Sequence, residues 1–421
     1  MAREYFGTDG VRGVVGELIT PELVERLGKA SALWARSGRV FVGRDTRASG
    51  VELEEAFGRG VASAGGVAVL AGVVPTPAVA LLRLDLGVVI SASHNPPEYN
   101  GVKLFDREGR KLSDADEEQI EALLEAPAPG GGEIDRVEVA AESYLDHVLD
   151  RFGADLSGLR IAVDCANGAY AGLAPLGFAR LGASVEAIGN EPDGANINVG
   201  CGATDLAALS ALVRSGGFDL GIAFDGDGDR MLAVDERGRT VDGDQIVAVL
   251  ALDLGVDSVA VTVMSNLGLH RLMADRGIRV HTTDVGDRYV LEALRREGAK
   301  LGGEQSGHVI WLDDHVTGDG LVAALLLCRA LGGRPLSEVA GVMPRFPQVT
   351  RNLPRSGRGP LPGGLLAAVE GVNEELGGTG RVLVRPSGTE PVVRLLAEAE
   401  SEEEAESLCA RIAALVTREL G

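Results

Sequence analysis

The chain has 421 residues, 45% of them hydrophobic and 24% charged, and a formal charge of −22. That length predicts two to four compact domains, each able to bury its own core. The negative charge, with no long Lys/Arg block to offset it, disfavours nucleic acid and acidic membrane surfaces as partners, because both would meet net repulsion. An anionic substrate must then find a local basic pocket. Lysine occurs only at Lys29, Lys103, Lys111 and Lys300, so Lys103, close to a motif, carries weight. Cys165, Cys201, Cys328 and Cys409 form no CxxC pair, which predicts reduced, mostly buried thiols rather than a zinc site or a disulfide framework. There is no basic-then-apolar leader, and the apolar run from Leu321 to Cys328 is too short to span a bilayer. The expectation is a cytoplasmic protein, monomer or homodimer.

In chain order, a strand, a polar Gly-containing loop, an amphipathic helix and a second strand recur three times. The first unit runs from Val40 through Gly43-Arg44-Asp45 and a helix near Glu52 to Ser63, into a strand at Val67 to Leu70. The second starts at Leu159 to Val163 and the third at Val259 to Val263. Strands alternating with helices at this spacing are βαβ units. They predict three consecutive α/β domains with mixed, largely parallel sheets, at residues 1–148, 149–245 and 246–343. Pro127 to Gly132 reads as a surface loop of the first. Pro344 to Gly364, rich in Pro, Gly and Arg, predicts an extended, semi-rigid connector rather than packed structure. Beyond it a strand at Arg381 to Val384, a strand at Val392 to Ala397 and a helix at Ser401 to Leu420 predict a smaller α+β domain, 344–421 with the connector.

Four loops carry the chemistry. Ser93, in Ser91-Ala92-Ser93-His94-Asn95-Pro96, follows an apolar strand at Val88 to Ile90, where open α/β sheets place ligands. Taken alone such a turn is more often a capped loop than a catalytic one. Asp225-Gly226-Asp227-Gly228-Asp229-Arg230 lies between two strands; its glycines let three carboxylates converge on an oxygen-preferring cation such as Mg²⁺. Without a cation they would repel one another. A calcium EF-hand, which Glu236 at the twelfth position superficially supports, is opposed by Arg230 at the sixth position and by flanking strands. A serine able to carry a phosphoryl group beside such a cage reads as phosphoryl transfer. Gly302-Gly303-Glu304-Gln305-Ser306-Gly307-His308 offers Glu304 and Ser306 to sugar hydroxyls, although a plain glycine-rich turn would look the same. Arg385-Pro386-Ser387-Gly388-Thr389-Glu390 brings a guanidinium, hydroxyls and backbone N–H groups into one turn, an inventory suited to phosphate; an ordinary polar hairpin is the alternative. No GxSxG nucleophile elbow is present, and His147, His270, His281 and His315 show no ligand spacing.

With Phe6-Gly7-Thr8-Asp9-Gly10-Val11-Arg12-Gly13 and Val285-Gly286-Asp287-Arg288-Tyr289-Val290, these segments resemble, in order and over essentially the whole chain, the α-D-phosphohexomutase family. The resemblance implies a heart-shaped arrangement of four domains around a central cleft. It implies a phosphorylated Ser93 and one Mg²⁺ held by Ser93, Asp225, Asp227 and Asp229, with Arg12, Lys103 and His308 near the transferring group. By the same likeness Glu304, Ser306, Arg230 and Arg288 face the sugar, while Arg385, Ser387, Gly388 and Thr389 hold the distal phosphate. The chain departs from the family at Tyr99, where an acidic residue is common. The GTDGVRG, SASHNP, GEQSGH and GDRYV segments point to the amino-sugar branch. The implied reaction interconverts glucosamine 6-phosphate and glucosamine 1-phosphate, a small-molecule hexosamine phosphate substrate, through a bound sugar 1,6-bisphosphate, toward UDP-N-acetylglucosamine. A phosphomannomutase or phosphoglucomutase is the alternative enzyme. A non-catalytic sugar-phosphate sensor is the alternative of another class; it would need a phosphate pocket but no phosphorylatable serine beside a metal cage.

Overall fold

The computed structural model describes residues 4–7, 9–36, 38–355, 359–387 and 391–420. The chain divides into two compact units, Met1–Thr262 with His281–Gly341, and Val263–Val280 with Val342–Gly421.

The first unit contains three mixed sheets. In the first, the strands follow the order Val11–Val14, Tyr99–Phe105, Leu86–Ile90, Arg39–Arg44, Val67–Val73, Glu133–Arg136. The last four run parallel, whereas Tyr99–Phe105 is antiparallel to both its neighbours. Leu86–Ile90 is buried at all five positions, as expected of an apolar run covered on both faces. Helices Pro21–Ala35 and Gly50–Ser63 cover one side. They approach closely: a Cβ on Gly60 would lie 2.0 Å from the Glu25 carbonyl oxygen. Glu133–Arg136 adds a sixth strand directly after the Pro127 to Gly132 loop, which is exposed apart from half-buried Gly132. Only Ile134 of that strand packs on the core, too little apolar pattern for the sequence to announce it.

The second sheet runs Thr240–Val241, Met231–Asp235, Leu220–Phe224, Arg160–Asp164, Ser184–Ile188. The third includes, in order, Ser258–Thr262, Leu301–Gly303 and Val309–Trp311. Helix Gly320–Leu331, almost wholly buried, starts at Asp319. The Asp319 carboxylate accepts from the N–H groups of Leu321 (2.9 Å) and Val322 (3.1 Å) and from the hydroxyls of Tyr144 (2.7 Å) and Tyr170 (2.9 Å). His315 Nε2 lies 3.0 Å from it.

The second unit holds an antiparallel sheet ordered Gln348–Pro354, Val392–Glu398, Arg381–Pro386, with helices Gly363–Leu376 and Glu402–Leu420. Its core includes Leu365, Val369, Val393, Leu395, Cys409 and Ile412. The stretch from Pro344 to Gly364 is therefore not the unpacked connector that its composition suggests, because Gln348–Pro354 pairs along its whole length with Val392–Glu398. Val349 and Leu353, four apart on one strand face, pack on the core; Pro347, Pro354 and the arginines mask that pattern. As an edge strand it tolerates Pro354, since no second neighbour requires the missing N–H. Helix Gly363–Leu376 opens on two glycines, poor helix formers that hide it, yet Leu365, Val369, Val372 and Leu376 make a helical apolar stripe. Segment Val263–Val280 supplies helix Leu267–Asp275. Glu398, fully buried, accepts from the Leu267 N–H (3.0 Å), Gln348 Nε2 (2.9 Å) and Arg381 Nε (2.6 Å). Asn266 exchanges two hydrogen bonds with the Phe346 backbone.

Candidate active site

Ser93 sits three residues beyond strand Leu86–Ile90, 1% exposed and at φ 50°, a left-handed conformation uncommon for a residue with a side chain. Its Oγ donates to Asp225 Oδ2 at 2.6 Å, and its N–H donates to Ser91 Oγ at 2.9 Å. His94 Nδ1 is 3.3 Å from Ser93 Oγ. Burial first, then Arg230 and Arg12, push the His94 imidazole down to about 4, so it is neutral at ordinary pH.

Asp225 ends the fully buried strand Leu220–Phe224, and Gly228, at φ 79°, turns the chain toward Met231–Asp235. Asp225 Oδ1 accepts from the N–H groups of Gly228 and Arg230, both at 3.1 Å. One oxygen from each of Asp225, Asp227 and Asp229 lies within 4.8 Å of the others. Burial, then Asp229 and Asp227, hold the Asp225 carboxyl well above the usual carboxylate range. Asp227 Oδ2 accepts from the Thr76 hydroxyl (2.6 Å) and from Lys103 Nζ (2.6 Å). Asp227 Oδ1 and Asp229 Oδ1 are buried without a hydrogen-bond partner. Two orphaned anionic oxygens beside a carboxyl destabilised by its neighbours form a donor set that fits a hard divalent cation.

Lys103, on strand Tyr99–Phe105, is 1% exposed and lies 2.6, 3.4 and 3.6 Å from carboxylate oxygens of Asp227, Asp229 and Asp9. Burial alone would lower its pKa, but Asp227, Asp9 and Asp229 outweigh it and hold the ammonium charged. Asp9 is also paired with Arg12 and Lys111, and Lys111 with Asp287. His308 closes the ring, Nε2 at 3.5 Å from Asp287 and Nδ1 at 3.8 Å from Asp229. Burial would lower the His308 pKa; Asp287 and Asp229 raise it instead. Arg230 Nε lies 4.0 Å from Asp229 Oδ1. On the same loop as His308, Glu304 Oε1 accepts from the Gly286 N–H at 3.0 Å, while Ser306 is exposed. Arg288 pairs with Asp114 (2.6 Å) and Glu292 (3.2 Å).

In the second unit, Arg385 and Arg394 are opposed in the ladder. They line a cavity of about 270 Å³ with Met264, Thr350, Asn352 and Leu383. The Ser387 N–H donates to the Val392 carbonyl at 2.9 Å. Gly388 and Thr389 lie outside the described residues.

Sequence models of the phosphoglucomutase/phosphomannomutase domains match the chain in turn: alpha/beta/alpha domain I at residues 3–129, domain II at 142–238, domain III at 242–346 and the C-terminal domain at 346–415. The chain belongs to the phosphoglucomutase/phosphomannomutase family. It is 49% identical to the phosphoglucosamine mutase of Moorella thermoacetica, over 97% of this chain and 98% of that one. It is 47% identical to that of Rubrobacter xylanophilus, over 99% and 98%. A solved phosphoglucomutase/phosphomannomutase family protein from Burkholderia thailandensis superposes with a TM-score of 0.84 at 26% identity, covering 100% of this chain and 97% of the other.

Of the residues singled out in the sequence of this family member, Ser93, the three aspartates, Lys103, Arg12, Arg230 and His308 come together in one charged cluster. Arg288 is engaged by carboxylates of its own, and Glu304 anchors a backbone N–H. The sequence reading passed over Asp9, Lys111, Asp287, Thr76 and Arg394. Lys111 carries a signal, as one of four lysines; Asp9 and Asp287 sit in glycine-containing segments where nothing sets them apart from capping or turn carboxylates. Nothing local marked Thr76, which meets Asp227 from 151 positions away.

Proposed function

We propose that the chain is a phosphoglucosamine mutase, interconverting glucosamine 6-phosphate and glucosamine 1-phosphate through a phosphoserine at Ser93 and a bound sugar 1,6-bisphosphate. The observation that carries the mechanism is Ser93 Oγ at 2.6 Å from Asp225 inside a three-carboxylate cluster faced by a buried lysine. The substrate assignment draws on the nearly full-length relatives, which bear that name.

In the forward direction the O1 hydroxyl of glucosamine 6-phosphate attacks the phosphorus on Ser93. A new O1–P bond forms, the P–Oγ bond breaks, and the hydroxyl proton is passed to the site. The bisphosphate turns around and Ser93 Oγ attacks the phosphorus at the 6-position; the P–O6 bond breaks, O6 takes back the proton held by the site, and glucosamine 1-phosphate leaves with Ser93 phosphorylated again. No net phosphate donor is consumed. Asp225, Asp227, Asp229 and the Ser93 side chain would hold one Mg²⁺, which when bound neutralises charge on the transferring group. Lys103, held as an ammonium, and Arg12 add fixed positive charge there. The hydroxyl proton is assigned to His308, because Lys103, already protonated, offers no lone pair to accept it.

In this reading Glu304, Ser306, Arg230 and Arg288 serve sugar recognition, and Arg385, Ser387, Gly388, Thr389 and additionally Arg394 bind the distal phosphate. The domains divide at 148, 245 and 343. Among the described residues no helix is long and apolar enough to cross a membrane; a cytoplasmic monomer or homodimer free of nucleic acid is part of the proposal. The test is ³¹P NMR of purified protein with Mg²⁺, a trace of a hexose 1,6-bisphosphate, and glucosamine, glucose and mannose 6-phosphates in parallel. A 1-phosphate signal strongest with the amino sugar is expected. A stronger signal from a neutral hexose would overturn the substrate, and silence with all three, using protein shown to carry phospho-Ser93, would overturn the activity.

A further inference from the structure

Arg47 lies between strand Arg39–Arg44 and helix Gly50–Ser63, and its side chain is fully buried. A guanidinium has five N–H donors, and here each has an acceptor. Nε donates to Asp45 Oδ2 at 2.9 Å. One terminal nitrogen donates to the carbonyls of Pro96 and, at 2.9 Å, Tyr99; the other donates to those of Ser93 (2.9 Å) and Asn95 (2.8 Å). Four of the five bonds thus end on one seven-residue loop, the loop that presents Ser93. A second chain of bonds reaches the same residue from its N–H side. Asp45 Oδ2 accepts from Ser91 Oγ at 2.6 Å, and Ser91 Oγ accepts from the Ser93 N–H at 2.9 Å. Asn198 Nδ2 adds a further donor to the Ser93 carbonyl at 2.9 Å.

We propose that Arg47, through the closed ring Arg47–Asp45–Ser91–Ser93, is the positioning residue that fixes the reactive serine for phosphoryl transfer. The ring grips the Ser93 peptide groups on both sides and leaves its Oγ free to face Asp225. This explains how a residue with a side chain is kept at φ 50°, a conformation that persists only where its surroundings over-determine it. It also explains why an uncompensated-looking guanidinium is buried: one carboxylate balances its charge, and four carbonyls, which a lysine ammonium with three donors could not all reach, take the rest. With no exposed side-chain surface, Arg47 has no route to substrate, so its effect must pass through Ser93.

The inference rests on Ser93 being the phosphoryl carrier. The test uses the full chain in wild-type, Arg47→Lys and Ser91→Ala forms. It measures phospho-Ser93 by mass spectrometry, single-turnover transfer from the phosphorylated enzyme, steady-state kcat and KM, and Mn²⁺ affinity with the metal alone. A displacement of about 1 Å at a reacting atom costs on the order of 10²-fold in rate. Arg47→Lys is therefore expected to lower single-turnover transfer and kcat by about that factor, with KM and the Mn²⁺ dissociation constant within roughly twofold of wild type. Ser91→Ala is expected to give a smaller loss of the same kind. Unchanged transfer in a folded Arg47→Lys variant, or a loss that appears in KM alone, overturns the proposal. Should Arg47→Lys not fold, a folded Ser91→Ala variant with wild-type transfer overturns it equally. Absence of phosphate on wild-type Ser93 during turnover would instead strike the carrier assignment, which keeps the two failures distinct.

Discussion

Replacing Lys103 with methionine keeps its volume and removes its charge, and the consequences can be worked out from its surroundings. The ammonium faces Asp227, Asp229 and Asp9, so the variant would hold three carboxylates around one charge-free side chain. Lys103 and Asp227 are each about 1% exposed, so solvent screens little of the effect. Removing one partner of such a buried pair costs about 3–5 kcal/mol, on the order of 5–10 °C in melting temperature for a unit of this size. A divalent cation held by the aspartates would replace part of the lost charge. Wild-type protein at Mg²⁺ about 100-fold above its dissociation constant gains about 2.7 kcal/mol, and Lys103→Met should gain more. Turnover should fall on the order of 10²-fold or more, since a preorganised positive charge is lost. The assay is thermal denaturation in EDTA and in Mg²⁺, with steady-state rates alongside. A melting temperature in EDTA within about 1 °C of wild type, or a smaller Mg²⁺ increment than wild type shows, would refute the reasoning.

Asp319→Asn should destabilise the protein by about 1.5–3 kcal/mol, the worth of a hydrogen bond to a charged group, read from denaturant midpoints at several pH values. Burial alone would raise the Asp319 pKa, but His315, Tyr144 and the helix N–H groups lower it. Its contribution is therefore complete above the unfolded value of about 3.9 and lost as pH falls through the lower folded value. The gap between wild type and variant should close in acid, and a gap that widens in acid would contradict the assignment. Gly228→Ala would put a Cβ 2.4 Å from the Tyr170 ring at φ 79°; calorimetric Mn²⁺ titration should show affinity weakened by an order of magnitude or more, with unchanged affinity refuting a tight loop. Arg385→Ala and Arg394→Ala should each lose a charge-assisted contact worth roughly 1.5–3 kcal/mol, seen as about a 10- to 100-fold fall in kcat/KM, and wild-type kinetics in both would remove the distal phosphate assignment.

The parts of this protein legible in its sequence are those whose signal is local. The βαβ repeats, the Asp225–Arg230 turn between two apolar strands and the Ser93 loop can be read because period, glycines and carboxylates fall within a dozen residues. Gln348–Pro354 and Gly363–Leu376 resisted because proline, arginine and glycine at their ends outweigh a faint apolar pattern that only core packing reveals. At the site, the missed residues act over long sequence separations. Lys111 meets Asp287 from 176 positions away and Thr76 meets Asp227 from 151. A charge ring assembled across such distances has no sequence motif, only isolated charged residues that each pass for a solvated surface.

The second unit is discontinuous, and this bears on how the chain can be made and cut. The acceptor for the Leu267 N–H, Glu398, is synthesised 131 residues later. At roughly 5–20 residues per second, that segment waits on the order of 7–26 s for its partners, with Leu269, Leu272 and Met273 of its helix in need of cover throughout. No single cut frees either unit intact: a fragment ending at Gly341 keeps Asn266 and Leu267 but loses Phe346 and Glu398, while one starting at Val342 strands a buried Glu398 with one donor missing.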